Sequence, residues 1–236
     1  MKSFKNSSIG IAAAALVWGV FSFQSASAAI IVTDLTSPVV APGISQFTTD
    51  GADMVGMSVT VNFLGGGTET AIWQATGAQS GAATGAFGTG WSISSSGDTF
   101  NTNAWTADFG NLQVTSFSMD GSTGLTLFNK DFDPLPGTPG SADGRDFATT
   151  LVQDALVQAT YSIVVGIGAT PPVGDIFHML TVSFAEVENG TVSGLFDFTQ
   201  DTDNDIRIRV PEPAMLPLFG LGLAGIAVIA RSRRSA

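Results

Sequence analysis

Met57-Ser58-Val59-Thr60-Val61-Asn62-Phe63 decides the fold class. Apolar side chains at 57, 59, 61 and 63 alternate with small polar ones. A period of two places the two sets on opposite faces of an extended chain, so this stretch predicts a half-buried β-strand. Working outward, the same rhythm returns three times. Leu180, Val182 and Phe184 alternate with Thr181 and Ser183, and Val192, Gly194, Phe196 and Phe198 are interleaved with Ser193 and Asp197. Ile206, Ile208 and Val210 alternate with Arg207 and Arg209, a short last strand.

Further strands are expected over Glu69–Ala75, Trp91–Ser95, Thr102–Phe109, Leu112–Asp120, Leu125–Asp131 and Ala159–Gly168. In Leu112–Asp120 the apolar face switches from Leu112 and Val114 to Phe117 and Met119, which predicts a bulge near Thr115–Ser116. Turn residues separate these runs: Gly65-Gly66-Gly67, Ser96-Gly97-Asp98, Asp120-Gly121 and Asn189-Gly190. The last pair joins two alternating runs and predicts a hairpin. Asp133–Asp146, with Pro134, Pro136 and Pro139, reads as a surface loop, and Phe147–Gln158 as either an amphipathic helix or coil. Few good helix formers and no alternation of strand with helix predict an all-β body, an antiparallel β-sandwich of the jelly-roll or immunoglobulin-like kind.

The two ends are different. Lys2 and Lys5 precede an apolar run, Ile9–Phe23, and Ala26-Ser27-Ala28 offers small residues at a cleavage site. This is the pattern of a secretory signal peptide, residues 1–28, whose partners are the Sec export machinery and signal peptidase. At the other end Ala214–Ala230 holds seventeen residues without a charge, followed by Arg231, Arg233 and Arg234. At ~1.5 Å per residue it spans roughly 25 Å, enough for a single transmembrane helix in a thin bilayer. The arginines resist export and set its orientation. The expected organisation is therefore a signal helix, a secreted body over 29–209 and a tail over 210–236.

Charge narrows the functions open to the body. All twenty acids lie between Asp34 and Glu212, with only Lys130, Arg145, Arg207 and Arg209 against them, a net of −16. Such a body repels nucleic acid and anionic lipid. With no cysteine there is no disulfide, thiolate metal site or thiol nucleophile.

Candidate chemistry is sparse. His178 is the one histidine, and no Gly-x-Ser-x-Gly elbow supplies it with a nucleophile; Gly77-Ala78-Gln79-Ser80-Gly81 places its serine one position late. Glu186 and Glu188 share a strand face, as a carboxylate pair or as the acidic end of a strand. The expectation is no catalytic site. Asp201, Asp203 and Asp205 stand at i, i+2 and i+4 with Asp197 ahead of them, a set of hard oxygen ligands suited to calcium on a loop between strands. It is not an EF-hand, since the sixth position is Ile206. The alternative is a solvated acidic turn. Trp73, Trp91, Trp105 and Tyr161 serve either as a sugar-stacking platform or as core.

The chain's end resembles a known signal. Val210-Pro211-Glu212-Pro213, the apolar helix with Gly220-Leu221-Gly222-Leu223-Ala224-Gly225-Ile226, and the arginine cluster are similar, in that order, to the PEP-CTERM sorting signal of Gram-negative bacteria. Trp91–Phe100, Trp105-Thr106, Thr138–Ala142, Pro172–Asp175 and Asp201–Asn204 resemble stretches of secreted β-rich proteins that carry such tails. The resemblance implies recognition by an exosortase, with processing near Val210–Pro213 after a membrane-anchored intermediate. It also implies delivery to the cell surface or extracellular matrix, in association with exopolysaccharide and biofilm. The two prolines of the motif hold the backbone extended for an enzyme to grip. The competing reading of the body is a carbohydrate- or calcium-binding module, and after that a secreted hydrolase.

Overall fold

A computed structural model describes residues 29–130, 137–151, 157–185 and 187–206. Both targeting ends, including Ala26, Ala28, Val210–Pro213, the apolar segment 214–230 and the three arginines, lie outside the described residues. Among the described residues no helix is long and apolar enough to cross a membrane.

Apart from short 3-10 turns at Gly121–Thr123 and Glu188–Gly190, the regular structure of the described residues is strand. In order come β1 (Ile30–Thr33), β2 (Val39–Ala41), β3 (Ile44–Gln46), β4 (Ser58–Phe63) and β5 (Thr68–Ile72). Next are β6 (Gln74–Ala75), β7 (Ser80–Gly85), β8 (Trp91–Ser96) and β9 (Trp105–Asp108). The rest are β10 (Val114–Asp120), β11 (Thr126–Asn129), β12 (Ala148–Thr149), β13 (Gln158–Ile167), β14 (Ile176–Ser183), β15 (Leu195–Thr199) and β16 (Asp201–Asp205).

The alternating run that predicted β4 is strictly half-buried, with Val59, Val61 and Phe63 inside and the residues between them partly exposed. The bulge predicted in β10 is present, since the register with β4 shifts between Val114 and Ser116.

Ten strands form one sheet and six the other, the smaller running β12-β15-β9-β8-β7-β6. The sheets face each other across one core. Phe117 of β10 meets Phe198 of β15 at 5.8 Å between ring centroids, and Phe198 stacks on Trp105 of β9 at 5.4 Å. Trp73, Trp105 and Tyr161 are fully buried and Trp91 nearly so, which places all four in the core and takes them away from any sugar platform. At about 150–250 Å² per aromatic side chain and roughly 25 cal/mol per Å², such rings dominate the burial that holds the sheets together.

Three expectations are corrected. The Asn189-Gly190 turn does not close a hairpin, because β14 before it belongs to the large sheet and β15 after it pairs with β9 and β12 in the small one. Both runs aim their apolar faces at the same core, but from opposite sheets, and residues 184–194 carry the chain across. The pairing is not wholly antiparallel either, since β1 and β2 both run parallel along β13. Finally, residues 148–149 are strand in the segment read as helix or coil, while 152–156 lie outside the described residues.

The large sheet divides in two. β10 and β11 lie end to end along one side of β14, and β13 covers its other side. One half runs β1-β13-β14-β10-β4-β5 and the other β2-β13-β14-β11-β16-β3. In the second half the outermost strands, β2 and β3, are joined by Pro42-Gly43 alone. One short segment thus bonds both edges, and this half closes into a ring of strands. Ala41, Leu127, Val165 and Ile176 form a second, smaller apolar cluster there.

Candidate functional site

The ring sets the environment of the acids that the sequence singled out. Asp203 lies opposite Leu127 in the β11–β16 ladder, and Asp201 lies opposite Asn129. Residues directly opposite share a face, so Asp203 lies on the side of the sheet where Leu127 meets the small apolar cluster, and a period of two brings Asp201 and Asp205 to that side with it. Asp201, Asp203 and Asp205 are at most 2% exposed. They lie on a strand and not on a loop, and they are not a solvated turn. Asp197 is elsewhere: it belongs to β15 in the small sheet, where the Thr106 hydroxyl donates to it at 2.7 Å. Among the described residues no three acidic or histidine side chains converge as a metal-binding group.

Two residues that the sequence did not single out as ligands complete the cluster. Asn129, fully buried, donates through Nδ2 to Asp203 Oδ2 at 3.0 Å and to the Ala142 carbonyl at 3.0 Å. Asp175 accepts from the Thr138 amide at 2.5 Å and from the Thr138 hydroxyl, so that it pins the loop that follows residue 136. That loop also hydrogen-bonds to β11 through the Arg145 amide, which donates to the Asn129 carbonyl at 3.2 Å. Beneath, Thr49, Thr99 and Thr202 exchange hydroxyl hydrogen bonds of 2.6–3.1 Å, and the Thr99 hydroxyl lies 3.4 Å from Asp201 Oδ1.

The electrostatics follow mainly from burial, with the Arg145 charge a smaller opposing influence on Asp201. Desolvation raises Asp201 to about 7, against N–H and O–H donation from Thr202 and Thr99 that lowers it. Desolvation raises Asp203 further, to about 8, with the charges of Asp201 and Asp175 adding to it. Asp203 Oδ1 and Asn129 Oδ1 are buried with no hydrogen-bond partner among the described residues. A protonated Asp203 can donate where its anion cannot, so the cluster is arranged to hold protons near neutral pH.

The other candidates are structural in their surroundings. His178 is 5% exposed within β14. Glu69 accepts from the amides of Ala86 and Phe87 and from the Trp91 indole at 2.6–3.0 Å, and these donors hold its carboxyl below the usual range. Glu186 lies outside the described residues.

The remaining feature is the tail. Residues 209–234 match the family model of the PEP-CTERM protein-sorting motif. The chain ends in a PEP-CTERM sorting signal. It is therefore an extracellular protein processed by an exosortase. No curated protein and no solved structure matches the chain.

Proposed function

We propose that this protein is a structural or adhesive component of the cell surface or extracellular matrix, associated with exopolysaccharide and biofilm, and not an enzyme. On this reading the Sec machinery exports the chain and signal peptidase removes residues 1–28. Residues 214–230 hold an intermediate in the membrane, and exosortase acts near Val210–Pro213. The cargo is a β-sandwich of the jelly-roll or immunoglobulin-like kind. The observation that carries the reading is the sorting signal at 209–234, attached to a body whose Trp73, Trp91, Trp105 and Tyr161 are spent on a shared core.

Intact mass of the protein recovered from the host's surface and medium tests it. Loss of residues through Ala28 and of the tail beyond Val210–Pro213 is the expected result. A full tail would make the chain an ordinary anchored protein and remove the main support for matrix delivery.

A second reading is favoured by the two buried oxygens on Asp203 and Asn129 that have no partner among the described residues. Here calcium takes the place of the protons, with Asp201 and Asp203 as its acidic ligands and Asp197 outside the site. A melting temperature that rises on adding calcium at neutral pH supports it. One unchanged by calcium removes it.

A further inference from the structure

The outer face of the small sheet carries a cleft of about 310 Å³. It exists because small residues meet there: Ser80 lies opposite Ser96, Ala82 opposite Ser94, and Ser94 opposite Thr106. These central side chains are too short to fill the space between strands, and the longer Gln74 and Asp197 stand only at the ends of the Ala82–Ser94–Thr106 row. Trp91 and Ile93 of β8 face the core, so Ser94 and Ser96 project outward by strand alternation. Thr76 and Asn103 lie exposed along its lining.

The chemistry of the lining is narrow. It contains no ionisable side chain, and its apolar side chains amount to Ala104. The Thr106 hydroxyl is committed to Asp197, and Thr76 donates to Ser80 at 3.1 Å. The hydroxyls of Ser94 and Ser96 and the carboxamide of Asn103 make no hydrogen bond within the described residues. A cationic ligand finds one carboxylate beside the wall, that of Asp197, already accepting from Thr106; an anionic one meets a strongly acidic body, and an apolar one finds only Ala104 and the carbon atoms of short polar side chains. A neutral ligand rich in hydroxyls exchanges its hydrogen bonds with water for bonds to these groups, one for one.

We propose that this hydroxyl-lined cleft, with Ser94, Ser96, Thr106 and Asn103 as its contacts, binds a neutral glycan. The proposal rests on the matrix reading above and supplies its point of attachment. At 310 Å³ the cleft lies at the small end of ligand sites, room for one or two sugar units of a chain. With no aromatic ring in the lining to stack on, affinity per site is low, and holding a polymer depends on many copies of the protein along one chain.

The test is affinity electrophoresis of the protein recovered from the host's surface, through gels carrying the neutral or the acidic fraction of the host's extracellular polysaccharide. Retardation by the neutral fraction alone is expected. Ser94→Tyr, which fills the cleft, abolishes it, while Thr84→Val, on the same face but outside the cleft, leaves it unchanged. Asn103→Ala, at an exposed position, weakens it and keeps the test decisive if the tyrosine variant does not fold. No retardation, retardation by the acidic fraction alone, or retardation unaltered by Ser94→Tyr and Asn103→Ala would overturn the proposal. In each of those cases the matrix reading stands or falls separately, on where the processed protein is found and on its mass.

Discussion

Asp203 shows how one residue ties stability to pH. An acid whose folded value is about 8 keeps a proton that the unfolded chain has released above about pH 4. The folded state then binds more protons than the unfolded one, so stability falls as pH rises through that window and levels off above it. Asp201, raised to about 7, acts in the same direction. In chelator, the melting temperature is expected to be lower at about pH 8 than at about pH 5, by roughly 5–10 °C. Asp203→Asn keeps an acceptor for Asn129 Nδ2, carries no charge, and should flatten the upper part of that slope. A wild-type curve that rises with pH would show that the acids are ionised or otherwise compensated in the fold. The i, i+2, i+4 spacing of these acids was legible in the sequence. Their burial was not, because it depends on Leu127 and Asn129 some seventy residues away.

Strand β7 shows what an element needs when its residues carry no hydrophobic signal. Ser80-Gly81-Ala82-Ala83-Thr84-Gly85 has almost no apolar alternation and went unread as a strand, yet it pairs with β8 along its whole length. Its glycines make room for indoles. A Cβ on Gly85 would collide with the Trp91 indole and with Glu69, and one on Gly81 with Trp73 Nε1 and the Gly51 carbonyl to which that indole donates at 2.7 Å. Gly85→Ala is therefore expected to cost about 1–3 kcal/mol through overpacking. Thermal unfolding reads this as a fall of roughly 2–10 °C. No change would mean that Trp91 moves aside freely. By contrast β4, β8 and β10 were legible because each carries its own alternation of large and small side chains. The short strands β1, β2 and β3 were not, since three or four residues hold too little pattern to read.

For the whole molecule, charge and processing act together. Five of the nine basic residues lie in the two ends, so the proposed processing at both ends would take the chain from a net −11 to about −16. The surface form is accordingly expected to bind an anion-exchange column more tightly than the unprocessed chain. Equal retention would mean that the basic tail is still present. Two things about this protein were determined by sequence alone: that its body is built from half-buried strands, and that its end addresses it to an exosortase. Both are local. A period of two and a motif followed by an apolar run and arginines are written in contiguous residues, and they are read without knowing what the chain touches. Tertiary structure decided the rest. It placed the runs on either side of Asn189-Gly190 in different sheets, used residues 39–46 to close a ring, and buried three aspartates of β16 in that ring while leaving Asp197 in the small sheet. Each of those outcomes depends on which distant strand wins the pairing. That choice is settled by packing the shared aromatic core, and no stretch of neighbouring residues contains it.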